Sequence, residues 1–153
     1  MLVTWTNKKV GICIKKIVIA THGILADGYK NTLDILGIPQ DNINVMNFYC
    51  GTQHNEQEIH EIFASLKEHE QMIVFTDIQF GSVNQMFVKQ ALDFPSKNIA
   101  ILTGMNLPLM LEVVLAKEEL SEEMLQNMVK KAAEQMTLVD LNQFKQSQEE
   151  DIF

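Results

Sequence analysis

Cysteine is scarce in this chain: Cys13 and Cys50 are its only two among 153 residues, too few and too far apart for a disulfide framework or a CxxC metal or redox pair. Both are expected to be reduced and buried. Basic residues are the scarcer charge, 12 Lys plus Arg against 20 Asp plus Glu, for a formal net charge of -8 and a pI near 4.9. That balance disfavours a nonspecific grip on nucleic acid or on anionic membranes, and says nothing about which protein the chain meets. No apolar run approaches the roughly 18 residues of a membrane span. The first 16 residues hold only the short segment Val10-Gly11-Ile12-Cys13-Ile14 between lysine pairs, with no small-residue cleavage site. A cytoplasmic protein with one core is expected.

Several signatures of common chemistry are also missing. The chain has no HExxH, EF-hand loop or Cys cluster, no GxxxxGK[ST], no spaced glycines of a dinucleotide fingerprint and no GxSxG. His54, His60 and His69 follow one another at six and nine residues, which does not make an i,i+4 ligand face. No metal and no cofactor is expected. No internal repeat, low-complexity tract or Pro/Gly linker divides the chain.

What the sequence does contain is an alternation. Ile17-Val18-Ile19 run unbroken into Ala20-Thr21-His22-Gly23, as in a strand covered on both faces and ended by a glycine turn. Leu25, Tyr29, Leu33 and Leu36 then form a helical stripe closed by Gly37 and Pro39. A second strand is expected at Ile43 to Phe48. Asn55 with Glu58 resembles a capping box ahead of Ile59, Ile62, Phe63 and Leu66 on one helix face. Met72 to Thr76 is a third buried strand ending at Asp77, followed after Gly81-Ser82 by a helix with Val83, Met86, Phe87 and Leu92. Ile99 to Thr103 is the fourth strand, ended by Gly104, and Asn106 with Pro108 opens a helix through about Ala116. Ser121 caps a last helix with Leu125, Met128, Val129, Ala132 and Met136 inward, and a polar tail follows from about Asn142. Leu138, Val139 and Leu141 form an edge strand as the alternative to tail.

The fold class is therefore α/β, an open and mainly parallel sheet with helices on both faces. Ligands of such sheets collect beyond the carboxyl ends of the strands, which makes His22, Asp77 and the segment around Thr103 to Asn106 candidates for a shared crevice. A neutral imidazole attacks an electrophilic phosphorus through one nitrogen while a carboxylate holds the other, and Asp77 is the best carboxylate. A histidine that only ends a strand, and an aspartate that only caps a turn, fit the same positions equally well. Ser82 either receives phosphate oxygens at a helix start or caps that helix.

Three ordered segments decide more together than apart: Ile17-Val18-Ile19-Ala20-Thr21-His22-Gly23, then Asp77 with Gly81-Ser82, then Thr103-Gly104-Met105-Asn106-Leu107-Pro108-Leu109-Met110-Leu111-Glu112. Over about Lys16 to Met136 the chain resembles the mannose-type EIIA component of the bacterial phosphoenolpyruvate-dependent sugar phosphotransferase system. The resemblance implies that His22 accepts a phosphoryl group from phospho-HPr and passes it to a histidine of an EIIB component, with phosphohistidine as intermediate. It implies that Asp77 orients His22, and that Thr21, Gly23, Gly81, Ser82 and Asn106 line or hold the phosphate. Membrane EIIC and EIID components are then met indirectly, at the periphery of the membrane, and the sugar is not specified. A homodimer is expected, with Thr137 to Leu141 as the nearest candidate for an exchanged edge strand; docking of the final helix in a monomer is the alternative. Residues 1–15 read as an extension, 16–141 as the domain and 142–153 as the tail, a length short of a complete EIIB domain or permease.

The second segment departs from the family run of an aspartate, two residues, paired glycines, serine, proline, an apolar residue and asparagine. Phe80 replaces the first glycine, Val83 the proline, and Gln85 the asparagine unless Asn84 serves. Phe80 either faces a partner or covers the loop. The altered loop motivates a second reading, a regulatory binding module with this fold and weakened or lost phosphoryl transfer.

Overall fold

Val18, Ile19, Ala20 and Thr21 are wholly excluded from solvent in a computed structural model that describes residues 14–51 and 54–142. Cys13, most of the expected N-terminal extension and the tail from residue 143 lie outside the described residues. The elements alternate throughout: β1 (Ile14–His22), α1 (Leu25–Ile35), β2 (Ile43–Phe48), α2 (Glu56–Ala64), β3 (Glu70–Thr76), α3 (Ser82–Ala91), β4 (Ile99–Thr103), α4 (Leu107–Leu115) and α5 (Glu122–Glu134). The four strands form one parallel sheet in the order β2-β1-β3-β4. The central pair explains the unbroken apolar runs, because strands covered on both faces have no polar side to show.

Each face has its own core. Ile17, Ile19, Ile73 and Phe75 point to one side and pack with Leu33 of α1, Leu109 and Val113 of α4, and Leu125 and Met128 of α5. Val18, Ala20, Met72 and Val74 point to the other and meet Ile59 and Phe63 of α2 and Val83 and Phe87 of α3. There the Phe63 ring lies edge-on to Phe87 and Phe94, with both centroid separations at 6.0 Å. Burying a side chain of this size contributes roughly 1.5–3 kcal/mol, so the two faces are the main source of stability.

Polar groups at the helix ends are matched locally. Asn55, Asn106 and Ser121 each accept from the backbone N–H three residues on, capping α2, α4 and α5. Only half of the expected capping box forms, because Glu58 turns its carboxylate to His54 Nδ1 at 2.8 Å. Lys15 Nζ donates to the Val113 and Ala116 carbonyls at 3.2 and 2.7 Å, closing the C-terminus of α4. Buried Gln71 on β3 exchanges two hydrogen bonds with the Leu120 backbone, 2.7 and 2.9 Å, and so anchors the approach to α5.

Some sequence expectations fail on position. Helix α5 ends at Glu134, so Met136 lies beyond it and is exposed, and Val129 sits at the edge of the stripe made by Leu125, Met128 and Ala132. Leu36 is the C-cap of α1 and exposed, while Ala26 takes the buried place in its first turn. Cys50 is exposed rather than buried, since it follows the end of β2 in a turn and donates Sγ–H to the Asn47 carbonyl. The segment Thr137 to Leu141 forms no strand in the single chain, where Leu138, Val139 and Leu141 are all exposed. No helix among the described residues is long and apolar enough to cross a membrane.

Candidate functional site

The connection β1-α1-β2 moves to one side of β1 and α2 carries the chain back over to β3 on the other, so the strand order reverses between β1 and β3. Loops leaving adjacent strands at such a point diverge and open a crevice. His22 is the last residue of β1. Ala20 is level with Thr76 in the pairing of β1 with β3, which puts Asp77 one step further on, beside the end of β1.

The two side chains meet there. Asp77 Oδ2 accepts from the His22 backbone N–H at 2.8 Å and from Nδ1 at 2.9 Å, while Oδ1 accepts from the Ile78 N–H at 2.9 Å. Its side chain is only 9% exposed. Burial pushes the Asp77 carboxyl upward, but the hydrogen bonds from His22, its charge and the bond from Ile78 outweigh this, and the group lies below its ordinary value. Asp77 is therefore an acceptor only, which makes Nδ1 the donor and leaves the lone pair of a neutral imidazole on Nε2.

Nε2 faces the start of α3, 3.1 Å from Ser82 Oγ. A lone pair there requires the serine hydroxyl to donate. The serine oxygen in turn accepts from the Tyr49 hydroxyl at 2.9 Å, and the Tyr49 ring stacks on the imidazole with centroids 5.5 Å apart and planes 20° apart. Tyr49 was not legible in the sequence: a single aromatic one residue past an edge strand has no periodic signature, and only the motif-free position next to Phe48 marks it.

Helix α3 begins tight against this ring. Its N-cap is Gly81, which brings no side-chain cap to the first turn, so the dipole and N–H groups of that turn favour an anion. A Cβ on Gly81 would come within 3.1 Å of the Ile78 carbonyl and 3.3 Å of His22 Cε1, so glycine is what lets the helix approach the imidazole. Gly23 adopts φ +59° and donates its N–H to the Phe48 carbonyl at 2.8 Å, tying the ends of β1 and β2 together.

The altered loop keeps its shape by other means. Phe80 stands at φ +62°, in the left-handed region that favours glycine, and its ring is 75% exposed. Its N–H donates to Asn84 Oδ1 at 3.3 Å and its carbonyl accepts from Gln85 Nε2 at 2.6 Å. Asn84 is buried and also donates to Thr76 Oγ1 at 3.1 Å, so Asn84 and Gln85 divide the work between the strand end and the loop.

Two expected lining residues are engaged elsewhere. Thr21 is buried and its hydroxyl accepts from the Ala26 N–H at 2.9 Å, which fixes the turn into α1. Asn106 caps α4 through the Leu109 N–H and reaches the Ala132 carbonyl of α5 at 3.4 Å. Both shape the crevice through the backbone. His54 and His60 pair with Glu58 and Gln90 on α2 and α3, apart from His22.

Comparison with known proteins gives the family. The family described as PTS system fructose IIA component, EIIA-man, matches residues 16–133, and the chain belongs to that family. It is similar, at 27% identity and TM-score 0.71, to a phosphoenolpyruvate-dependent sugar phosphotransferase system permease from Klebsiella pneumoniae, covering 82% of this chain and 91% of that one. The fold is shared with EIIA from Streptococcus agalactiae, at 22% identity and TM-score 0.68 over 85% and 99% of the two chains. It is shared as well with the mannose/sorbose specific IIA subunit of Enterococcus faecalis, at 19% identity and TM-score 0.61 over 83% and 96%. No curated protein matches the chain. The protein is thus an EIIA-type component of the sugar phosphotransferase system, a family of phosphotransferases that works with HPr and EIIB.

Proposed function

We propose that this protein is a cytoplasmic phosphocarrier that takes a phosphoryl group from phospho-HPr onto His22 Nε2 and passes it to a histidine of an EIIB component, for sugar uptake through EIIC and EIID membrane subunits. The observation that carries the proposal is the double grip of Asp77 Oδ2 on His22, which leaves Nε2 as the nucleophile at the mouth of the crevice. In the first transfer the Nε2 lone pair forms an N–P bond while the N–P bond of phospho-HPr breaks, and the donor imidazole leaves with that electron pair. The His22 ring gains positive charge as it bonds, and the Asp77 carboxylate offsets it through Nδ1–H. Ser82 and the first turn of α3 receive the phosphoryl oxygens. Transfer to EIIB reverses these steps on a new acceptor.

The surroundings of His22 suit a protein donor. Ile24, Tyr49, Ile78 and Phe80 are all exposed and flank the histidine, an apolar rim of the kind that a protein interface covers. Whole-chain acidity then has little to do with recognition at this face. The exposed Leu138, Val139 and Leu141 supply the surface for a homodimer, pairing with a sheet edge of a second copy.

The test combines the protein with phosphoenolpyruvate, Enzyme I and HPr, followed by phosphohistidine-preserving mass spectrometry. Label on His22, absent in His22→Ala and discharged by the cognate EIIB, is the expected result. An unlabelled protein beside fully active upstream proteins refutes the carrier and leaves the regulatory module.

A further inference from the structure

Tyr49 is held in a way that neither burial nor strand pairing explains. It is the first residue after β2, stands at φ +64° in a backbone region unfavourable to any residue but glycine, and leaves 68% of its surface in solvent. An aromatic so placed gains little from burial. Besides a tilted contact with its neighbour Phe48 at 6.3 Å, it meets two groups of the phosphoryl site: Ser82 Oγ at 2.9 Å, and the His22 ring stacked at 5.5 Å. The Gly23 N–H on the Phe48 carbonyl fixes the end of β2 against the end of β1, which sets the Tyr49 backbone beside His22.

On the carrier reading above, we infer that Tyr49 is a positioning residue of the phosphoryl-transfer site, acting through Ser82 and on the face of His22. A serine hydroxyl has one proton and rotates freely unless its oxygen is engaged. Here the oxygen accepts from Tyr49, and the proton is left to point at Nε2. When Nε2 gives its lone pair to phosphorus, the serine hydroxyl swings off the lone-pair axis and donates to a phosphoryl oxygen, with the Tyr49 hydroxyl still donating to the serine oxygen. Stacking covers one face of the imidazole and leaves its Nε2 edge to the phosphoryl group once the serine hydroxyl has swung aside. The phenol face also interacts favourably with the positive charge the ring acquires.

Tyr49→Phe removes the hydroxyl and keeps the ring, and Tyr49→Gly removes both while accepting the same backbone angle. Single-turnover phosphorylation by phospho-HPr should slow about 3- to 10-fold in Tyr49→Phe, the range of one neutral hydrogen bond, and about 10- to 30-fold in Tyr49→Gly. The melting temperature of Tyr49→Gly should equal or exceed the wild type, which separates loss of transfer from loss of fold. In the unphosphorylated protein, the 15N resonance of His22 Nε2 should move in Tyr49→Phe part of the way toward its position in Ser82→Ala. A Tyr49→Phe variant with wild-type rate and wild-type Nε2 resonance overturns the inference while the carrier reading stands. A wild type that takes no phosphate from active phospho-HPr defeats both readings.

Discussion

Replacing Asp77 with asparagine separates the charge at this site from its shape. In the native protein one oxygen serves both His22 N–H groups and the other serves the Ile78 N–H. An amide has one acceptor oxygen. If that oxygen stays on His22, the amide NH2 meets the Ile78 N–H, donor against donor; if it turns to Ile78, the NH2 meets two donors of His22 instead. The first arrangement leaves fewer groups unpaired, so Asp77→Asn should keep Nδ1 as the donor and lose the charge that supports it. Hydrogen bonds to a charged group contribute about 1.5–3 kcal/mol against about 1 kcal/mol for neutral ones. With the ring gaining charge in the transition state, and with the Ile78 conflict added, about 1.5–2 kcal/mol of transition-state stabilisation is lost, roughly a 10- to 30-fold slower transfer. Asp77→Ala strands both His22 donors and should fall by roughly 100-fold or more. Rapid-quench single-turnover phosphorylation by phospho-HPr reads both variants on one scale. Wild-type speed in Asp77→Asn refutes the role given to the carboxylate charge, and equal rates for Asn and Ala refute the separate role given to orientation.

The same carboxylate and the loop beside it yield two stability predictions. The Asp77 pKa is lower in the folded state than in the unfolded chain, so its stabilising contribution is complete above the ordinary aspartate value of about 3.9 and is lost as pH falls through the lower folded value. The gap in melting temperature between wild type and Asp77→Asn should therefore close on acidification below about pH 4, followed by calorimetry; a gap that persists in acid contradicts the linkage. Phe80→Gly and Phe80→Ala differ only in how they meet φ +62°, so the glycine variant should be more stable than the alanine variant by about 1 kcal/mol, some 2–4 °C in a chain of this size. Equal melting temperatures would mean that the loop relaxes out of the left-handed region once the ring is gone.

Buried β-branched runs make β1 and β3 readable, because a central parallel strand has one composition on both faces. Histidine and aspartate at the ends of those runs are readable for the same reason: only the strand-to-helix turns at the carboxyl edge are free for polar chemistry. The positive φ values of Tyr49 and Phe80 are another matter. Backbone angle leaves no trace in residue type when the residue is not glycine, so Phe80 shows itself only as a departure from paired glycines, and Tyr49 shows nothing. The inward assignment of Val129 and Met136 failed because periodicity continues past the residue where a helix stops. Cys50 failed because residue type predicts burial on average and a turn after an edge strand is not average.

The loop at Phe80 indicates which of the paired family glycines is replaceable. At the first position the need is for a backbone angle, and an angle can be imposed on a larger residue at a cost of about 1–3 kcal/mol. Two hydrogen bonds, from the Phe80 N–H to Asn84 and from Gln85 to the Phe80 carbonyl, each contribute about 1 kcal/mol and offset it. At the second position the need is for space. No hydrogen bond elsewhere moves a Cβ away from the Ile78 carbonyl and His22 Cε1, which it would meet at 3.1 and 3.3 Å. Relief requires the Ile78 carbonyl and the imidazole, or α3 itself, to shift by a few tenths of an ångström, which disturbs the contact between His22 and Ser82. Gly81 is therefore tied to the chemistry of His22, and the first position, now Phe80, is free to vary with whatever surface the apolar rim must fit.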